Sequence, residues 1–193
     1  MLMSGRVAPV LMVCAAIAAR PPAVRHTADV IVYGGTAGGV IAAVAAAREG
    51  LSVALVTPDR HLGGMVSGGL GWTDYGQKQV IGGYSLEFFE RVGRKYGRVI
   101  EWHFEPRVAE AVFDDLVTEA RVQVFRGRLR ETRGVRRNGS AIASIGTEDG
   151  STFAGAVFVD ASYEGDVMAQ SGVSYTVGRE GVNEYGPDRK SVV

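Results

Sequence analysis

Residues 29–57 read DVIVYGGTAGGVIAAVAAAREGLSVALVT, and no other stretch limits the fold so tightly. DVIVY is short, apolar and rich in β-branched residues, as expected of a strand buried on both faces. Residues 38–49 are dominated by alanine, which favours a close-packing helix. Residues 52–56 form a second apolar strand. Strand, tight turn, helix and strand within about thirty residues make a βαβ unit, whose crossover is right-handed. The glycines at the turn then have a mechanism. Gly34 permits the sharp departure from the strand, and Gly39 lets the helix lie on the strand without an intervening side chain. With Gly35, Thr36, Ala37 and Gly38 between them, they bring main-chain amides to a helix N-terminus, where a pyrophosphate is stabilised. This is the dinucleotide fingerprint with Thr36 at its middle glycine. The threonine leaves less room for close backbone approach and offers a hydroxyl donor to phosphate. A glycine-rich βα turn that binds nothing is the competing reading.

Such folds place an acid at the end of the second strand to hold the adenosine ribose. That position is Thr57 here, so Asp59 is the available carboxylate. Residues 59–76, DRHLGGMVSGGLGWTDYG, supply a second glycine-rich segment with Arg60, Gly63, Gly64 and Met65 at its head. A nicotinamide-dependent dehydrogenase would enter its next helix here. Exposed main chain suits an extended cofactor whose second half needs a cradle.

Composition narrows the field without choosing a function. The chain has 193 residues, 46% apolar and 22% charged, with 27 glycines and zero formal charge. That glycine share is about twice the usual one. The charge balance gives no footprint for nucleic acid. Arg126, Arg128, Arg130, Arg133, Arg136 and Arg137 cluster before Asn138-Gly139, which reads as the solvated face of a hairpin. Residues 1–19 carry Arg6 and then an apolar run ending in small residues. They read as a secretory signal peptide, too short for a stable membrane span, placing the protein in the periplasm or outside the cell. The alternative is translation starting nearer Asp29, which would leave it cytoplasmic. Cys14, the single cysteine, lies in that run, so a mature chain would have no thiol chemistry.

Further along, residues 81–96 put Leu86, Phe89, Val92 and Tyr96 on one helical face. Pro106 suits the first turn of another helix carrying Val108, Val112, Leu116 and Ala120. Residues 122–125 form a strand. Turns at Asn138-Gly139 and Asp149-Gly150 separate alternating segments 129–135, 141–147 and 152–153, a β-meander inserted in a Rossmann-like sheet. Residues 156–160 are the next buried strand. Ligands of open α/β sheets bind beyond such strand ends, so Ala161 and Ser162 lie at the expected place. Glu164 and Asp166 open the following helix; capping and cofactor contact are both consistent with them.

Four blocks, YGGTAGGVIAA, RHLGGMVSGGLGWTD, FEPRVAEAVFDDL and FVDASYEGDVMAQSGVSYTVGRE, taken in order, resemble a family of bacterial FAD-dependent oxidoreductases of the glutathione-reductase-like fold class. The resemblance runs from about residue 29 to about residue 180 and departs at Thr57. It implies FAD as cofactor and a small-molecule substrate of unspecified identity. It also implies adenine contact near Arg128 or Leu129, and flavin neighbours at Ala161, Ser162 and Gly165. Family members are longer, so residues 29–172 are expected to form the FAD-binding domain and residues 173–193 the start of a truncated substrate domain. Flavin supplies the redox chemistry, and His61 is the candidate base or positive group beside it. Asp74 and Tyr75 face the substrate side in this reading, with Trp72 as a pocket wall. The expected function is hydride transfer from a small organic substrate to flavin. The alternatives are a nucleotide-binding fragment without turnover and an NAD-dependent dehydrogenase. His26, His61 and His103 are scattered, so no metal site is expected.

Overall fold

The computed structural model describes residues 24–178. The expected signal peptide, Cys14 and the residues from 179 onward lie outside that range. Four parallel strands form the central sheet: β2 (Val30–Tyr33), β3 (Val53–Thr57), β4 (Gln123–Arg126) and β8 (Val157–Asp160), in the order β4-β3-β2-β8. Val30 to Tyr33 pair with Val53 to Val56 on one side and Val157 to Asp160 on the other. Because β2 is central, both its faces must be covered, and its unbroken apolar run follows from that.

Side chains alternate between two cores. Val30, Val32, Val53 and Leu55 meet α1 (Ala37–Arg48), α2 (Gly83–Lys95) and α3 (Pro106–Glu119). Ile31, Tyr33, Ala54 and Val56 meet Leu129, Ile145, Phe153 and Val167 on the opposite side. The second core belongs to a smaller sheet of β1 (Arg25–Thr27), β7 (Thr152–Ala154), β6 (Ala141–Gly146) and β5 (Val135–Asn138), in that order. Helices, parallel sheet and meander therefore make three layers, the Rossmann-like arrangement expected.

Several boundaries differ from expectation. Residues 129–135 are not a strand: Leu129 makes one bridge, to Thr147, and β5 begins at Val135. Left-handed Arg133 (φ 55°) interrupts the extended path between them. Residues 173–178 carry no strand. The buried face of α2 is Phe88, Val92 and Gly93, rotated from the expected Leu86-Phe89 stripe because Phe88 stacks on Phe113. Of the arginine cluster, Arg136 and Arg137 are solvated on β5, but Arg130 is half-buried and its Nε donates to the Thr147 carbonyl at 3.0 Å. Strand β1 was not foreseen; it pairs in parallel with β7.

Three helices are joined by one ionic network. Both Arg48 Nη atoms donate to Glu87 at 2.7 Å, Arg91 Nε donates to the same carboxylate at 2.9 Å, and Arg91 continues to Glu119 at 2.6 and 2.8 Å. Hydrogen bonding from Arg48, more than offsetting burial and with Arg91 adding to it, lowers the Glu87 carboxyl from 4.5 to about 2. A folded-state value below the unfolded one adds stability above the unfolded value and loses it as pH falls. Unfolding free energy should therefore be level above about pH 5 and decline toward pH 2 by about 1–2 kcal/mol from this group, after discounting for solvent screening. Urea titrations of the chain and of Glu87→Gln across that window check it: the variant should lack this part of the decline.

Candidate functional site

A cleft of about 950 Å³ opens beyond the carboxyl ends of β2, β3 and β8. It is at the upper end of the size range of small-molecule and cofactor sites, about 300–1,000 Å³. Its floor is built where β2 turns into α1. Gly34 leaves the strand at φ 110°, its amide still donating to the Val56 carbonyl at 2.8 Å. A Cβ on Gly34 would lie 2.5 Å from the Ala161 carbonyl, so the two turns touch backbone to backbone. Gly39 is buried with its Cα against the Gly34 carbonyl, where a Cβ could not fit. Gly38 is exposed at the helix N-terminus and Gly35 faces inward to Thr57 and Leu62.

Thr36 caps α1. Its Oγ1 accepts from the Gly39 amide at 3.1 Å and donates to the Ala161 carbonyl at 2.9 Å. The hydroxyl proton is therefore engaged within the protein, on the Ala161 carbonyl. The amides at the start of α1 remain, ahead of the first intrahelical bond from Val40 to Thr36. Amides at such a helix N-terminus are suited to an anion.

The second glycine segment forms the facing wall. Gly63 donates to the Gly35 carbonyl at 2.7 Å, and Ser67 Oγ donates to the Leu62 carbonyl at 2.5 Å. Tyr163, which sequence reading passed over, reaches across: its hydroxyl accepts from the Met65 amide at 2.7 Å. Gly64, Met65 and Gly68 thereby line the cleft, while Gly63 packs against the Phe113 ring.

Of the residues expected at the site, Gly34, Thr36, Asp59, Arg60, His61, Gly64, Met65, Ser162 and Asp166 come together around this cleft. Thr57 is fully buried and its Oγ1 accepts from the Asp59 amide at 3.2 Å, while Asp59 itself lines the cleft. Ala37 faces a separate apolar pocket. Leu129 is buried, and its amide donates to the Tyr33 hydroxyl at 2.9 Å, so that amide is occupied and Arg128 is the residue exposed to the cleft. Burial pushes the Tyr33 hydroxyl above its ordinary range, which keeps it protonated.

The β8 end is stitched by its own side chains. Asp160 Oδ1 accepts from the Ser162 amide at 3.0 Å and hydroxyl at 2.7 Å, and Oδ2 accepts from Met168 at 2.8 Å. Ser162 Oγ in turn accepts from Gly165 at 3.0 Å and Asp166 at 3.1 Å, ahead of the short helix α4 (Asp166–Gln170). The amides of Ser162 and Gly165 are thus committed to the turn itself. Ala161 serves through its carbonyl, bonded to Thr36.

His61 lies at the rim, 68% exposed, with Nδ1 2.6 Å from Glu110 Oε1 on α3. Among the described residues, no group of three or more His, Cys, Asp or Glu side chains is placed to hold a metal, and no helix is long and apolar enough to cross a membrane.

A glycine turn feeding a helix N-terminus, at the carboxyl edge of a parallel sheet, with a second main-chain cradle opposite, defines a dinucleotide-binding protein of the Rossmann-like class. The chain belongs to the FAD dependent oxidoreductase family, whose family model matches residues 29–191. No curated protein matches. Among solved structures, L-proline dehydrogenase from P. horikoshii aligns with a TM-score of 0.58 at 13% identity, over 80% of this chain and 58% of that one. A flavin-dependent brominase aligns with a TM-score of 0.54 at 16% identity, over 76% of this chain and 41% of that one. A geranylgeranyl bacteriochlorophyll reductase-like protein from Thermoplasma acidophilum gives 0.51 at 18% identity, over 77% and 43%. These likenesses show the shared fold, and the chain spans little more than half the length of the first of them. FAD is the family's cofactor, and the residues present fit it. The Gly34–Ala161 approach leaves the turn bare of side chains, the start of α1 offers amides, and the cleft has the capacity for an extended ligand.

Proposed function

We propose that residues 29–172 are the FAD-binding domain of an oxidoreductase and that the residues beyond lead into a substrate domain. In this reading hydride passes from a small organic substrate to the flavin. Residues 1–19 act as a secretory signal, a part supported by the sequence alone. The observation that carries the proposal is the bare turn at Gly34, closed from above by Ala161 and capped by Thr36, at one end of a cleft with a second main-chain cradle at the other.

FAD, when bound, supplies the two-electron redox chemistry. The chain's own residues bind and orient it. The α1 amides take the pyrophosphate, Asp59 the ribose hydroxyls, and the Gly64–Met65 main chain, held by Tyr163, the second half of the cofactor. Arg60 and Arg128 add positive charge at the cleft. His61 is proposed as the group that accepts a substrate proton. Glu110 Oε1, 2.6 Å from Nδ1, orients the ring and leaves Nε2 available for that proton.

Titration of the full chain with FAD tests this, read by quenching of flavin fluorescence and by calorimetry, followed by anaerobic mixing with a panel of amines, polyols and sugars. Stoichiometric FAD binding and bleaching of the flavin by a donor are expected. Failure to bind FAD would remove the proposal. Binding of both ADP and FAD without bleaching by any donor would favour a nucleotide-binding module without turnover.

A further inference from the structure

Behind the second glycine segment lies another cavity, of about 300 Å³. Met65 and Gly68 line the cofactor cleft, whereas Val66 and Leu70 line this cavity, so one loop separates the two. Its deep wall is aromatic and fixed. Phe88 and Phe113 stack at 4.8 Å, Phe104 meets Phe88 edge-on at 5.5 Å, and Phe88 and Phe113 are 6% and 2% exposed. Its mouth differs in character. Asp74 stands there, exposed, and takes part in none of the ion pairs among the described residues. The neighbouring cation, Lys78, is engaged over the Tyr75 ring at 4.0 Å. Trp72, also at the mouth, is 77% exposed although one side meets the tilted His103 ring at 4.0 Å between centroids. An unpaired carboxylate and an open indole face both favour positive charge.

We infer that this cavity binds a small ammonium compound, its aryl or branched alkyl group against Phe88, Phe104 and Phe113 and its charged nitrogen at the mouth between Asp74 and Trp72. The occupant is a small molecule because the volume is at the lower end of the ligand-site range, about 300 Å³. The charge is set by the mouth, since nothing else lining the cavity is ionised at neutral pH except Asp74. The inference goes beyond the flavoenzyme reading: it names a ligand class for a second cavity, across the loop from the cofactor cleft, and binding there does not depend on the redox step.

Calorimetry on the full chain with phenethylammonium, its neutral alcohol analogue phenethyl alcohol, and phenylacetate tests the assignment. The ammonium compound should bind about tenfold more tightly than the alcohol, the combined size of an exposed ion pair and a cation–π contact. Asp74→Asn should erase that preference and Asp74→Glu should keep it. Ser85→Trp, at an exposed helix position lining the cavity, should weaken both ligands at least tenfold by filling it. Equal binding of the three probes, no saturable binding, a preference unchanged in Asp74→Asn, or affinities unchanged in Ser85→Trp would each overturn the assignment. FAD titrated into the same samples reports separately: a chain that binds FAD but shows no ammonium preference refutes this inference and leaves the flavin reading standing.

Discussion

Gly34→Ala is expected to abolish measurable FAD binding and to lower the stability of the chain by about 2–5 kcal/mol. Two effects add. At φ 110° an L side chain is strained, by roughly 1–2 kcal/mol. The new methyl would also lie 2.5 Å from the carbonyl carbon and oxygen of Ala161 and 2.6 Å from the Ser162 nitrogen. These are main-chain atoms and cannot rotate aside. Their displacement falls in the range of overpacking, about 1–3 kcal/mol. Moving Ala161 also pulls its carbonyl from Thr36, whose hydroxyl caps α1, so the amides proposed to hold the pyrophosphate lose their setting. Gly50 provides the control. Its φ is 86°, yet nothing lies within 4 Å of the position a Cβ would take. Gly50→Ala should therefore lower stability by only about 1–2 kcal/mol, with FAD affinity unchanged. Urea unfolding midpoints and FAD titrations of the two variants check this. Equal losses in both would mean that the Gly34–Ala161 contact contributes nothing beyond backbone strain.

The local features of this arrangement were legible in the sequence because local spacing determines them. Four residues of DVIVY are buried because β2 has strands on both sides, and a continuous apolar run can mean little else at that length. The glycine spacing reported the turn, and Pro106 reported the start of α3. What escaped are bonds between residues far apart in the chain. Tyr33 to Leu129 spans 96 positions and Tyr163 to Met65 spans 98, and no periodicity relates such pairs. A hint existed for the first: Tyr33 ends an otherwise aliphatic strand, and a buried hydroxyl needs a partner. The partner of Thr36 escaped for the same reason. Its hydroxyl looked free until Ala161, 125 positions away, was found against it. Strand β1 is three residues, RHT, with no alternation to detect; it exists because β7 offers an edge.

His61→Asn is expected to leave FAD affinity within about twofold and to lower the rate of flavin reduction about a hundredfold, the lower range for loss of a general base. The residue stands at the rim of the cleft, next to Leu62, which is 1% exposed and anchors the segment in the core under α3. Glu110 lies on the same helix as the buried Val112, Phe113 and Leu116, so the carboxylate that orients the imidazole is itself rigidly mounted. One turn further, Asp114 has its carboxyl pushed upward, chiefly by burial and then by the charge of Glu110. Glu110 holds the ring in place, its Oε1 lying 2.6 Å from Nδ1. Glu110→Gln keeps an acceptor for Nδ1 but removes the charge, and should lower the rate about tenfold, less than loss of the imidazole. The measurement is stopped-flow bleaching of bound flavin by the most reactive donor of the panel, followed across pH. The wild-type rate should follow one ionisation that is missing in His61→Asn. An unchanged profile in that variant would show that His61 handles no proton, and the Glu110 pairing would then be an ordinary surface contact, common for exposed histidines and worth little in stability.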